Sequence, residues 1–199
     1  RVLQNPEEIA IHIVSKSGAT TETIANFEII YAFLKERFGE VKHRIVVTTD
    51  EGSKLWIAGE KEGFTRLSIP KNVGGRYSIL SAAGVLSLSL AGIDTCALRE
   101  GASLMRESCL ENSTGENMAM ISAAILYRHY QKGISIHNNF FFSLELESLG
   151  KWYRQLAGES LGKDGKGILP IVSIGSNDLH SMAQLYLGGP KNIFTTFVR

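Results

Sequence analysis

Glu159 follows Gln155 by four residues in the stretch Lys151-Trp-Tyr-Arg-Gln-Leu-Ala-Gly-Glu159-Ser-Leu-Gly-Lys163. At helical spacing the two side chains share a face. A carboxylate so placed can take up and return a proton, although one Glu on a helix is most often a solvated surface residue. Three other stretches give it company. Ser15-Lys-Ser-Gly-Ala-Thr-Thr-Glu-Thr23 gathers hydroxyls at 15, 17, 20, 21 and 23 around Lys16 and Gly18. Amides at a helix N-terminus attract anions, and short hydroxyls add donors without bulk. The loop therefore reads as a phosphate cradle or, with the same chemistry, as a plain N-cap loop. It lacks the G-x-x-x-x-G-K-[ST] order of a Walker loop.

Lys71-Asn-Val-Gly-Gly-Arg-Tyr-Ser78 presents Arg76 beside Ser78, after two glycines that permit a tight turn. An arginine there can hold an oxyanion or a phosphate through paired donors, or pair with a surface carboxylate. Gly175-Ser-Asn-Asp-Leu-His180-Ser-Met-Ala-Gln184 sets His180 among polar neighbours just after an apolar run. Loops at that position are where function concentrates. His12, His43, His129 and His137 fall in strand or helix patterns without local polar company and read as structural.

The elements that must position these groups follow from periodicity. Residues 9–14, 44–49 and 64–69 are short β-branched or apolar runs, each followed by turn residues. Between them, Ile24, Phe27, Ile30, Phe33 and Leu34 form a helical stripe, and 52–61 suits a short helix. That rhythm predicts a parallel α/β sheet whose strand-end loops share one rim. The greasy stretch 79–93, broken by Ser and Gly, reads as a buried helix. Residues 97–110 and 117–130 are helical, with Ser113-Thr-Gly115 as the break between them. Strands follow within 133–143 and over 168–174, and 192–198 is a last apolar run. Leu146, Leu149, Trp152, Tyr153 and Leu156 mark an amphipathic helix carrying Gln155 and Glu159. A change of pattern near Ile93 divides the chain into units 1–92 and 93–199.

Composition bounds the function. The 199 residues are 44% hydrophobic and 21% charged, with a net charge of +1. No basic block points to nucleic acid, and no apolar run approaches a membrane span. Cys96 and Cys109 have no metal-ligand spacing and read as buried reduced thiols, as in a cytoplasmic protein. The sequon at Asn112 reads as a chance match. The polar opening, starting at Arg1 and not at Met, suggests a fragment or processed product. No cluster of metal ligands stands out, and no cofactor is expected.

Together, Ser15-Lys-Ser-Gly-x-Thr-x-Glu-Thr23, Val73-Gly-Gly-Arg-Tyr-Ser78, Trp152-x-x-Gln-Leu-x-x-Glu-Ser160-x-Gly-Lys163 and Asp178-x-His-Ser181 resemble the phosphoglucose isomerase family. The resemblance implies a three-layer α/β sandwich with parallel sheets, built from sugar-isomerase (SIS) domains. It implies reversible conversion of glucose 6-phosphate to fructose 6-phosphate through a cis-enediolate, without metal or cofactor. In that family's pattern Ser15, Lys16, Ser17 and Thr20 hold the phosphate, and Arg76 stabilises the enediolate. Glu159 moves the proton between C2 and C1, His180 helps open the ring, and Gln155 and Gly75 line the pocket. Burial would raise the Glu159 pKa and Arg76 would lower it; the sequence leaves the balance open.

The pattern departs at Leu179, where the family usually has Gln. The chain also matches about half a family chain, without the upstream Gly-Ser loop or the downstream catalytic lysine. It is therefore expected to hold much of a site without turning over alone, and to act as a homodimer when complete. Two other readings are a non-catalytic sugar-phosphate sensor and an isomerase for another phosphosugar, such as an amino sugar or a heptose.

Overall fold

A computed structural model of the chain describes residues 8–111 and 117–199. The sequon at Asn112 and the break at Ser113–Gly115 lie outside the described residues. Two compact units are present, Arg1–Arg99 and Glu100–Arg199.

The first unit carries strands β1 (Ile11–Val14), β2 (Ile45–Thr49) and β3 (Thr65–Ser68). They pair in the order β1-β2-β3, all parallel. Helices α1 (Thr21–Phe38) and α2 (Lys54–Glu62) make the crossovers that parallel pairing requires. Alternation along the strands sends Ile13, Ile45 and Val47 to one face, where they meet Leu34 of α1, Leu55 of α2, and Val41 and Phe64. Each such buried side chain contributes about 1.5–3 kcal/mol relative to exposure. Ser53 begins α2 by accepting the Trp56 amide, and Gly63 ends it in the left-handed conformation.

The stripe on α1 differs from expectation. Its inward face is Ile24, Phe27, Tyr31, Leu34 and Phe38, with Phe64 edge-on to Phe27 and Tyr31. Ile30 and Phe33 are about half exposed, because each sits one helical step of about 100° away from that face. The greasy stretch also departs from its reading as a buried helix. It forms a 3-10 turn at Gly75–Leu80 and then α3 (Ala82–Leu90), in which no residue is buried. Its mixture of Leu, Ser and Gly leaves it without one strongly apolar face to bury. Ile79, Leu80, Leu90 and Ile93 stay exposed.

Two helices follow, α4 (Thr95–Leu110) and α5 (Met118–Gln131). Cys96 and Cys109 are free, as read, but exposed and not buried; both sit on solvent-facing positions of α4. The second unit's sheet has β4 (Ile136–Phe141) at its centre, paired in parallel with β5 (Leu169–Ile174) and β6 (Ile193–Val198). Between β4 and β5 lies α6 (Glu147–Leu161). Between β5 and β6 lie α7 (Gly175–Ser181) and α8 (Ala183–Gly188). The protein is thus α/β with two parallel sheets. Among the described residues no helix is long and apolar enough to cross a membrane.

Candidate functional site

The hydroxyl loop hangs from the end of β1. Ser15 is buried, and its amide donates to the Thr48 carbonyl, which continues the ladder by one residue. The chain then turns through Gly18, whose amide donates to the Ser15 carbonyl and whose φ is 64°. A Cβ at Gly18 would also lie 2.5 Å from Ser53 Oγ, so conformation and space both demand glycine. Ser15 Oγ lies 2.8 Å from Thr20 Oγ1, and Ser17 Oγ accepts the Ala19 amide. A Ser15 proton directed at Thr20 leaves the Ser17 and Thr20 hydroxyl hydrogens to donate outward. Thr20 is the N-cap of α1 without a side-chain cap bond, and the first helical bond runs from the Ile24 amide to the Thr20 carbonyl. The amides of Thr21 to Thr23 therefore point out of the helix end beside these hydroxyls. Gly18, Thr21 and Ile24, with Lys54 and Leu55 of α2, line an open groove of about 510 Å³.

Lys16 is turned elsewhere. Its Nζ donates to Asp50 Oδ1 at 3.2 Å and to the carbonyls of Pro70 and Lys71 at 3.3 and 3.4 Å. One ammonium thus ties together the loops that follow all three strands, on the rim expected for them. The Lys16 carbonyl accepts from Asp50 N and Thr49 Oγ1. Thr49 Oγ1 lies 2.9 Å from Ser53 Oγ, which takes the Trp56 amide. Asp50 and Ser53 position the loop, and both escaped the reading of motifs. Their signal was present in Asp50-Glu-Gly-Ser53, a turn followed by an N-cap residue.

Arg76 lies on the 3-10 turn, half-buried, with its guanidinium 4.9 Å from the Tyr77 ring centre. Ser78 is buried and donates to the Gly75 carbonyl, while Ser81 donates to the Ser78 carbonyl. The glycine pair behaves differently from expectation. Gly74 has φ of −65°, Gly75 is not among the positive-φ glycines, and a Cβ at Gly75 would meet nothing within 4 Å. The turn itself does not require glycine at 75, where bare backbone faces open space, while a Cβ at Gly74 would touch the Tyr77 ring at 3.5 Å.

In the second unit, Gln155 Nε2 donates to Glu159 Oε1 at 2.9 Å, and both residues are exposed on α6. The helix is held by its other face. Gly150 and Ala157 are buried, and a Cβ at Gly150 would come within 2.7 Å of the Phe141 ring and 2.8 Å of Val172 Cγ1. Glycine at 150 lets α6 lie close on the sheet, and periodicity alone gave no hint of it.

His180 is exposed on α7, which starts directly at the end of β5 with no intervening loop. Gly175, at φ 49°, makes that junction. Asp178 accepts the Ile174 amide at 2.6 Å, and Ser181 donates to the Asn177 carbonyl. Asp178 and Ser181 organise this segment while Leu179 stays half exposed, so the departure at 179 leaves these bonds in place.

Of the other histidines, His43 accepts from the neighbouring Arg44 and His129 lies against the Phe194 ring, whereas two have polar company from distant strands and helices. His12 lies between Ser87 Oγ and Thr48 Oγ1, and His137 between Tyr153 OH and Thr196 Oγ1. Burial lowers both imidazoles below their ordinary pKa and raises the Tyr153 phenol. Among the described residues no group of three His, Cys, Asp or Glu is placed to hold a metal.

Comparison with known proteins identifies the family. Residues 2–191 match the family model for phosphoglucose isomerase. A glucose-6-phosphate isomerase of Clostridium tetani is 40% identical over 96% of this chain and 43% of its own length. One from Methanocaldococcus jannaschii is 38% identical over 96% and 47%. A hypothetical protein of Thermus thermophilus, of known structure, superposes with a TM-score of 0.91 at 34% identity, over 98% of this chain and 48% of its own. A glucose-6-phosphate isomerase structure from Chlamydia trachomatis gives 0.84 at 24% identity, over 98% of this chain and 40% of its own, and supports the fold. The chain spans less than half the length of these curated relatives. With the match running through all four motif stretches, the chain belongs to the phosphoglucose isomerase family.

Proposed function

We propose that this chain supplies phosphate-binding and proton-transfer groups for the interconversion of glucose 6-phosphate and fructose 6-phosphate. The observation that carries the reading is Glu159, held by Gln155 on the exposed face of a helix whose opposite face is locked to the sheet. A sugar-phosphate sensor needs the hydroxyl loop but has no use for that pair.

In this reading the outward hydroxyls of Ser17 and Thr20, with the amides of the first turn of α1, receive the phosphate. Ser15 orders the loop from beneath, and Lys16, paired with Asp50, fixes it to the rim. His180 assists ring opening. Glu159 then takes the proton from C2 of the open-chain aldose and returns it to C1, while the O2 hydroxyl proton passes to O1, giving the ketose. The role the family's pattern gives Arg76 is to stabilise the negative charge that builds on the enediolate oxygens between the two transfers. Gly75 offers bare backbone for close approach of the sugar, and Gln155 keeps the Glu159 carboxylate in one orientation. The intact protein acts as a cytoplasmic homodimer.

The test is a coupled assay of fructose 6-phosphate conversion with the intact protein and its Glu159→Gln variant. Loss of the base is expected to lower kcat about a thousandfold, with inorganic phosphate affinity unchanged within about twofold. Phosphosugar binding without turnover in the wild type would favour the sensor. Equal rates in the two proteins would remove Glu159 as the base.

A further inference from the structure

His12 occupies a place that the proposed chemistry does not use. On β1 it points away from the apolar core that Ile13 joins, toward the face on which α3 packs against β2. Its Nε2 lies 2.7 Å from Thr48 Oγ1 on β2, and its Nδ1 lies 2.7 Å from Ser87 Oγ on α3. Thr48 is fully buried, and its carbonyl accepts the amide of Ser15, the first residue of the hydroxyl loop. The imidazole therefore stands between the strand end that carries the loop and the helix that follows the Arg76 turn.

That helix needs a directional tie. No residue of α3 is buried, so apolar packing alone gives it a weakly specified position on the sheet. The helix and the Arg76 turn, by contrast, are joined tightly. A Cβ at Gly84 would lie 2.2 Å from the Ile79 carbonyl oxygen. Ser81 caps α3 through the Ala83 amide while donating to Ser78, and Ser78 donates to Gly75. A shift of α3 would carry the turn with it. A neutral imidazole suits the bridging role, since it donates from one nitrogen and accepts at the other, and a hydroxyl can answer either.

We propose that His12 is a positioning residue, which fixes α3 on the sheet through Ser87 and thereby fixes the turn that carries Arg76. The link to catalysis rests on the isomerase reading above; the anchoring of α3 does not.

The test uses the intact protein with His12→Leu, Ser87→Ala and Ser87→Thr. Ser87 is exposed, so its variants keep the fold even where His12→Leu fails to fold. In Ser87→Ala, amide exchange over residues 75–90 is expected to quicken about tenfold, while α1 and β2 stay unchanged. kcat is expected to fall about tenfold with the inhibition constant for inorganic phosphate unchanged, because a misplaced Arg76 costs the transition state and not the phosphate loop. Ser87→Thr, which keeps the hydroxyl, restores both. Unchanged exchange at 75–90, or exchange that quickens evenly across the first unit, overturns the anchor. Local quickening with unchanged kcat overturns the link to Arg76. If the wild type shows no isomerase turnover, that reading falls, and the exchange pattern alone decides the anchor.

Discussion

The two three-stranded parallel sheets of this chain differ in strand order, β1-β2-β3 against β5-β4-β6, and in what fills the centre of each. The first unit closes around Ile13, Ile45, Val47, Leu34, Leu55 and Phe64. The second places His137, Asn138 and Asn139 side by side and buried on its central strand, before Phe140 and Phe141. There, Ser173 Oγ donates to Asn138 Oδ1 and lies 2.7 Å from Tyr186 OH. An apolar core tolerates small shifts at modest cost, since dispersion and burial are non-directional. A buried polar network is directional, and each lost partner leaves another group unpaired. The first unit, in this light, is a stable base for a loop of hydroxyls. The second specifies its packing more narrowly behind a helix that displays Glu159.

The contrast can be broken by substitution. Ile45→Ala empties space at the centre of the first core and is expected to cost about 3 kcal/mol. Ser173→Ala removes little volume, but unpairs Asn138 and Tyr186, for about 1–2 kcal/mol. Urea unfolding monitored separately in each unit, for example by amide exchange, would measure both. If Ser173→Ala left stability untouched, the polar network would not be holding the second unit.

A smaller pair of effects separates the glycines the fold needs from those it does not. Gly18→Ala forces a side chain into a left-handed backbone against Ser53 and is expected to cost about 2 kcal/mol, with loss of inorganic phosphate binding. Gly75→Ala meets open space and is expected to change stability by less than about 0.5 kcal/mol. A drop in sugar-phosphate affinity in that variant, seen by calorimetry, would mark close approach of ligand to the backbone.

The smallest effect is in pH. His12 and His137 both titrate below the ordinary histidine value when folded, because burial disfavours their charged form. Below a pH of about 6.5 the unfolded chain therefore binds more protons than the folded one. Stability falls as pH drops from there through the folded values. His137 is the more deeply buried of the two, so His137→Gln should flatten the urea midpoint between about pH 7.5 and 5.5 more than His12→Gln. The reverse order would place the sensitive site in the first unit.

Much of the fold and the candidate site was legible in the sequence. Strands at 11–14, 45–49, 65–68, 136–141, 169–174 and 193–198 fall within the runs that periodicity marked. Three of the motif stretches stand after strands and one on the amphipathic helix, but the His180 stretch is the helix α7 itself and not the loop expected there. These features are local: hydrophobic period, β-branching and turn residues act over a few positions. Tertiary structure decided the rest. It chose Tyr31 over Ile30 and Phe33 as the inward face of α1 and left no residue of α3 fully buried. It turned Lys16 to Asp50, set Ser53 against Gly18, gave His12 and His137 their hydroxyl partners, and laid Gly150 on Phe141. Each of these joins residues remote in sequence, and such contacts arise from strand register and helix docking, which no short window of sequence contains. The spacing of Gln155 and Glu159 put them on one helix face, and only the other motif stretches singled them out; what holds their helix in place was not legible.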